Sequence, residues 1–504
     1  MSPQPVIRRI VDIAAAVAAV TALGACNLDD SGQSDNPVLD ARVRATAVAL
    51  GLTGNPAAGR RLPDIGDPTA QLGMHLFFTK GLGGDLDSAC VSCHHPVLGG
   101  GDDLPLSIGV EAEIPDLLGP GRHQSPSGTR YDGGPTVPRN APTTFNTGLY
   151  DAFLFHDGRV ESLLKVPHTN GAGPIRTPDS ALGTPDPDAG PNLLTAQARF
   201  PVTSGEEMRG FTFVAGGSNA ELRAALERRL QGVDPGLPAN GWLALFRDAF
   251  GDPQGTAADL ITFPNVAFAI AEYERSQVFV DTPWRAYLEG DDEAISWEAK
   301  QGALLFLRDP SRGGAGCAAC HSGDFFTDER FHVLAVPQIG RGKGDDNGLT
   351  TTDDFGRFRV TADPADKYAF RTPTLLNAEA TSPYGHSGAY ATLEAMVRHH
   401  LDPRAAVQGY DFTQLESGVQ VADMQTNTGF ALQALEARQQ AGTSLLRQLD
   451  LSDAEVAQLV AFLHALTDPC VSDRGCLAPW IPDPLATDPD QLRVRAVDQL
   501  NNPL

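Results

Sequence analysis

Two pentapeptides constrain this chain more than any other feature: Cys90-Val-Ser-Cys93-His94 and Cys317-Ala-Ala-Cys320-His321. Both read C-x-x-C-H. Two thiols three positions apart can each form a thioether to one porphyrin vinyl group, and the His that follows then lies under the iron. A zinc ribbon brings its second Cys pair about 15–20 residues after the first, whereas Cys93 and Cys317 stand 224 positions apart. A thioredoxin-like dithiol gives no reason for a His directly after each pair. The spacing therefore predicts two covalently attached c-type haems, with His94 and His321 as iron ligands.

The first residues read as an export signal. Arg8 and Arg9 open it, Ile10 to Leu23 is its apolar run, and Leu23-Gly24-Ala25-Cys26 ends it. The run is short for a membrane span. Its last four residues resemble a bacterial lipobox, in which Cys26 is lipidated once residues 1–25 are removed; a plain cleaved signal with an incidental Cys is the alternative. Either way the mature chain belongs in the periplasm or cell envelope, and it meets the membrane only through Cys26. The seven cysteines then divide into Cys26, the four motif residues, and Cys470 with Cys476. In an exported chain the last two can close a disulfide loop, with two free thiols as the alternative. A net charge of −25 argues against a nucleic-acid partner and suits a basic electron carrier.

With 504 residues the chain is long enough for two or three domains, and its 52 Gly and 38 Pro predict long ordered loops. Residues 26–66 are polar and aperiodic, which suggests a lipidated tether. Apolar spacing and capping residues predict helices at Thr69 to Lys80, Asn219 to Leu230, Trp242 to Phe250, Pro264 to Val280, Trp297 to Leu307, Thr392 to Leu401 and Ser452 to Leu466. Helix, Gly-containing loop and C-x-x-C-H thus occur twice in the same order. The expected class is mainly α, with long irregular loops. Its divisions are an N-terminal haem domain over 67–280 with a surface insertion at about 167–200, a C-terminal haem domain over 281–469 with an insertion at about 402–450, and an irregular tail over 470–504.

The stretches LGMHLFF, CVSCHHP, GGGDDLPLSIG, RNAPTTFN, FHDGR, EEMRG, YLEGD, CAACHSGDFF, DDFGRFRVT, DKYAFRTPTLLN and TSPYGHSGAYATLEAMV follow one another from about Leu72 to Leu401. Together they resemble the bacterial dihaem cytochrome c peroxidase family, which includes the MauG-type enzymes. The resemblance implies two cytochrome c-like domains, one haem that reacts with peroxide, one that receives electrons, and a calcium ion between them. Asn140, Thr381 and Pro383 match the calcium positions, and oxygen ligands suit that cation. Glu207 in EEMRG matches the acid/base carboxylate that moves a proton during O–O cleavage; Glu206 beside it leaves the register open by one. His386 in PYGHSG matches a residue of the electron-transfer side.

Three departures qualify the resemblance. The second His on the peroxidatic iron, sixteen positions after the proximal one in the peroxidases, is here Val110, so that iron has an open sixth position, as in MauG-type enzymes. The Trp between the haems is His156, a poorer station for a travelling hole. The distal ligand of the second haem falls on His400, with His399 and Met396 as alternatives. The family's active-site Gln is also missing from its place, which reads LLKVPH.

The function expected from the resemblance is an oxidoreductase of the cytochrome-c peroxidase type, reducing hydrogen peroxide with electrons from a small redox protein such as a cytochrome c. A MauG-like oxidation of side chains on a partner protein is the alternative. An electron-transfer module or haem sensor is the non-enzymatic one.

Overall fold

Two glycines set where the principal helices cross. In the computed structural model, which describes residues 36–344, 351–416 and 418–504, the Pro68–Phe78 helix crosses the Phe263–Arg275 helix at Gly73. A Cβ there would collide with the Ala269 carbonyl and come within 2.8 Å of Tyr273 Cβ. The Trp297–Leu307 helix crosses the Asp453–His464 helix at Gly302 in the same way, against the Gln458 carbonyl and 2.9 Å from Phe462 Cβ. Only a residue without a side chain allows backbones this close. Each first helix leads through a loop into a short 3₁₀ turn, Cys90–Ser92 or Cys317–Ala319, that carries a motif. The echo extends to Asn146 and Asn377. Both have positive φ, and both donate a side-chain N–H to the Phe279 carbonyl, each at 2.9 Å.

The helices form where the capping residues predict. Ser296 accepts from Ala299 N, Thr262 from Asn265 N, and Ser452 with Glu455 makes a reciprocal capping box. One predicted helix is shorter than expected. Asn146 claims the backbone of Gln277 and Phe279, so the helix expected to run to Val280 ends at Arg275. Among the described residues, strand is confined to a three-stranded antiparallel ribbon of Phe153–Leu154, Val160–Ser162 and Ile175–Arg176, and a pair of Phe331–His332 with Phe370–Arg371. Phe77, Trp242 and Tyr273 centre one apolar core; Trp284, Phe306 and Phe462 centre another.

Two expectations about the connecting segments need correction. Within the expected tether, Pro37–Ala49 is a helix. Its Leu39, Val43 and Ala47, spaced at i, i+4 and i+8, bury into the second core, and Asp40 pairs there with Lys300 (2.9 Å) and Tyr287 (2.7 Å). The 167–200 segment is not wholly a surface loop: Ile175, Leu193, Leu194 and Phe200 join a buried cluster with Tyr150, Leu154 and Val160. The 470–504 tail is irregular, as expected, and is tied to the first core. Its residues Val494 and Ala496 lie in the first core, and Val494 N donates to Phe78 O at 2.9 Å. The Cys470–Cys476 disulfide expected from the loop spacing is formed. The expected export signal and Cys26 lie outside the described residues. Among the described residues no helix is long and apolar enough to cross a membrane.

Candidate haem sites and the cavity that joins them

A cavity of about 1220 Å³ runs past both motifs. Cys90, Cys93 and His94 line one part of it; Cys317, Cys320 and His321 line another. All four cysteines are unpaired, and burial pushes the Cys93 and Cys317 thiols up to about 12. His94 Nδ1 lies 3.2 Å from Gly100 O and His321 Nδ1 lies 3.1 Å from Phe326 O. A carbonyl only accepts, so Nδ1 carries the proton in both rings and Nε2 keeps its lone pair. Burial lowers both imidazoles to about 4, which keeps them neutral. Paired thiols, a neutral imidazole with a free Nε2 and a cavity lined mainly by apolar groups fit a covalent haem at each motif.

The two parts differ on the side facing the His. The His400 ring stands 6.4 Å from the His321 ring, centroid to centroid. His400 Nδ1 donates to Met396 O at 2.8 Å, leaving Nε2 free. His399 has neither nitrogen to spare. Its Nδ1 pairs with the Tyr390 hydroxyl and its Nε2 with Leu334 O, each at 2.8 Å. Among the described residues no second imidazole comes within such range of the His94 ring, whose aromatic neighbour is Phe77 at 6.5 Å. Val110 is fully buried, its N donating to Glu206 O at 3.2 Å.

The carboxylate register resolves at the same place. Gly205–Arg209 forms a single π-helical turn, an irregularity common at functional sites, with Ser204 as its cap. The turn aims Glu207 into the cavity beside the first Cys pair and sends Glu206 onto Arg130, 3.5 Å away. Burial raises the Glu207 carboxyl above its ordinary value, against the pull of Arg159 and Lys343. Burial and the nearby Arg159 and Arg139 bring Lys343, which lines the same cavity, down to about 7. Burial also opposes ionisation of Asp157, yet Arg159 (3.2 Å) and Arg139 (2.7 Å) hold it well below the usual carboxylate range.

His156, Asn140 and His386 are threaded on one strand of backbone. Asn140 N donates to His386 O and Asn140 O accepts from His156 Nε2, both at 3.0 Å. Burial lowers His156 to about 4 and His386 to about 3. His386 stacks on Phe370 with centroids 3.7 Å apart, and its Nε2 has no hydrogen-bond partner. Asn140 spends its amide N–H on Leu104 O at 2.9 Å, which leaves Oδ1 available; Thr381 and Pro383 line the same cavity. These are neutral oxygens, to which a calcium ion would have to add water. Among the described residues the one cluster of three His, Cys, Asp or Glu donors is Cys320, Asp328 and His332.

Sequence reading passed over Lys343, Gln338 and Glu274. Gln338 lines the cavity with its Nε2 unpartnered. Nothing in the periodicity of these segments signals them, because their role comes from a fold that joins distant parts of the chain.

Residues 67–293 match the family model described as di-haem cytochrome c peroxidase. The chain is 29% identical over 387 residues to the methylamine utilization protein MauG of Methylorubrum extorquens, covering 77% of this chain and 81% of that protein. It is 28% identical to the cytochrome c551 peroxidase of Pseudomonas aeruginosa, covering 64% and 69%. The fold is similar to the crystal structure of a MauG-like protein associated with microbial copper homeostasis, with a TM-score of 0.53 and 21% identity over 84% of this chain and 97% of that one. It is also similar to the diheme peroxidase BthA of Burkholderia thailandensis, with a TM-score of 0.51 and 20% identity over 87% and 92%.

Proposed function

We propose, for a chain whose residues 67–293 belong to the di-haem cytochrome c peroxidase family, that it reduces hydrogen peroxide in the cavity beside Glu207. The electrons come from a small redox protein such as a cytochrome c, through the side that holds His321 and His400. The observation that carries this reading is the asymmetry of the two motifs: a second imidazole faces His321, whereas a half-buried carboxyl, Glu207, stands in the wall beside Cys90 and Cys93.

Two haems c supply the redox chemistry when bound, one held by Cys90, Cys93 and His94, the other by Cys317, Cys320, His321 and His400. Glu207 binds the incoming peroxide and moves a proton from its inner to its outer oxygen; burial raises its carboxyl above the ordinary value, which favours the proton-holding form. Val110 has no lone pair, so peroxide displaces no protein ligand on arrival. His156 and His386 line the wall between the two motifs and shape the electron path there. The reading includes two cytochrome c-like domains over 67–280 and 281–469, and a calcium ion at Asn140, Thr381 and Pro383 that elemental analysis would detect. It also includes export and lipidation at Cys26, which a palmitate analogue should label in the wild type and not in Cys26→Ala.

Val110, which cannot ligate an iron, supports a second reading, peroxide-dependent oxidation of side chains on a partner protein. Stopped-flow mixing of the fully oxidised protein with peroxide and reduced cytochrome c separates the two. The first reading expects cytochrome oxidation in step with peroxide loss. Peroxide loss that leaves the cytochrome reduced, with oxidised residues on a co-purifying protein, would favour the second. No peroxide consumption at all would sink both.

A further inference from the structure

Two chains of contacts lead away from His94, and both end on Trp480. In the first, the His94 ring lies 6.5 Å from Phe77, and Phe77 lies 5.0 Å from Tyr273. The Tyr273 hydroxyl donates to Trp480 O at 2.8 Å. In the second, His94 Nδ1 donates to Gly100 O, and Phe145 lies against Gly100, 3.0 Å from where a Cβ would stand. Phe145 then meets Phe279 at 4.6 Å, and Phe279 meets the Trp480 ring at 5.0 Å. Trp480 is half-buried, so its indole is reached from the core on one side and from solvent on the other. The disulfide-closed segment Cys470–Cys476 lies just before it in the chain, and Cys470 packs in the same apolar cluster.

Aromatic clusters are common in cores, and packing alone explains many of them. The comparison of the two halves argues for more. The place of Tyr273 at the first helix crossing is taken at the second by Phe462, which has no hydroxyl. From His321 the contacts run through Phe306 and Phe462 to Trp284, an indole that is fully buried. An exit to solvent through an indole exists on the first side.

We propose that Trp480 is the outlet through which oxidising equivalents from hydrogen peroxide, generated beside His94, reach the protein surface. The proposal rests on the peroxide-reducing reading above. Reduction of one peroxide to two waters breaks the O–O bond and takes two electrons and two protons. One electron leaves the Trp480 indole, which is easier to oxidise than the Phe rings along the way. The indole stays as a cation radical with its Nε1–H still donated to the Ser276 hydroxyl at 3.0 Å, and the two protons come from solvent. The second electron enters from the redox partner. A phenol or thiol donor in solution restores the indole by returning one electron, and its own proton goes to solvent.

The test uses the holoprotein, hydrogen peroxide with one equivalent of reduced cytochrome c to supply the second electron, and a nitroso spin trap that bonds covalently to a carbon radical. Trp297 is the internal control: it is also half-buried, but no aromatic contact joins it to His94. Peptide mass spectrometry should find the trap adduct on the Trp480 peptide and not on the Trp297 peptide. Trp480→Phe should abolish that adduct while peroxide-dependent oxidation of reduced cytochrome c continues. The double variant Tyr273→Phe, Phe279→Leu should lower adduct yield several-fold with Trp480 still present. Equal adducts on Trp297, or none on Trp480 while peroxide is consumed, would overturn the proposal and leave the peroxidase reading standing. A protein that consumes no peroxide would overturn both.

Discussion

His321 and His400 face each other across a gap of 6.4 Å between ring centroids, each with its Nδ1 tied to a backbone carbonyl. Two metal–imidazole bonds of about 2 Å, with the half-width of each ring, come to about 6 Å, so the spacing suits one iron held by both rings. Replacing His400 by Gly should convert the second haem from low-spin to high-spin in its electron paramagnetic resonance and optical spectra. His399→Gly should leave it low-spin. It should still cost about 1–3 kcal/mol of stability, because the Tyr390 hydroxyl and the Leu334 carbonyl lose a buried partner. A low-spin His400→Gly protein would move the ligand elsewhere on this helix, with Met396 one turn earlier as the next candidate.

Glu206 and Glu207 are neighbours in sequence and point to different surroundings, Glu206 onto Arg130 and Glu207 into the cavity. Glu207→Gln keeps the volume and removes the proton-moving carboxylate, so peroxide turnover should fall by about 10²–10⁴-fold. Glu206→Gln should change it by less than about tenfold, since its ion pair is long and Arg130 is exposed to solvent. Single-turnover mixing that finds the larger loss in Glu206→Gln would reverse the assignment.

The glycine crossings make a prediction about stability. Gly302→Ala gains helix propensity of about 1 kcal/mol, but its Cβ meets the Gln458 carbonyl, a backbone atom that cannot swing aside. Overpacking of this kind costs about 1–3 kcal/mol or more, and the clash should win. Gly73→Ala should behave alike against Ala269. Gly429, within the Met424–Gln440 helix, has nothing within 4 Å of the added carbon, so Gly429→Ala should stabilise by about 0.5–1 kcal/mol. Denaturant midpoints of the three variants check both signs, and a Gly302→Ala protein as stable as wild type would contradict the crossing geometry.

What could be read from the sequence, and what could not, divides along physical lines. The motif spacing, the capped helices and the Cys470–Cys476 loop depend on local chemistry, and the structure places them within a few residues of expectation. Which of Glu206 and Glu207 faces the cavity, and which of His399 and His400 keeps a free nitrogen, turn on which way one side chain faces, and that depends on a π turn and two hydrogen bonds. The Pro37–Ala49 helix was hidden because its three core residues alternate with charged ones, and its amphipathic character is evident only against the helix that covers it. The 167–200 segment reads as loop because Pro, Gly and Thr punctuate it, while six of its apolar side chains join a buried cluster.

The last prediction follows from Glu274, on the Phe263–Arg275 helix where it lines the cavity beside Cys90. It is buried, its Oε2 has no hydrogen-bond partner, and burial alone raises it from 4.5 to about 8. The folded protein therefore keeps a proton that the unfolded chain releases above about pH 4.5. Folding stability from this group is fully present below that pH, falls as pH rises towards about 8, and levels off beyond it, with a steepest slope of about 1.4 kcal/mol per pH unit. Asp102, raised to about 7, and Asp490, raised to about 6, slope in the same direction, so the quantity to read is the difference between two proteins. Glu274→Gln keeps the shape and cannot ionise. Its stability relative to wild type should rise steadily from pH 5 to pH 8, reaching on the order of 2–4 kcal/mol in its favour. Guanidinium unfolding of both holoproteins at intervals of one pH unit measures that difference. Parallel curves would mean that Glu274 is already ionised in the fold, with a partner for its second oxygen.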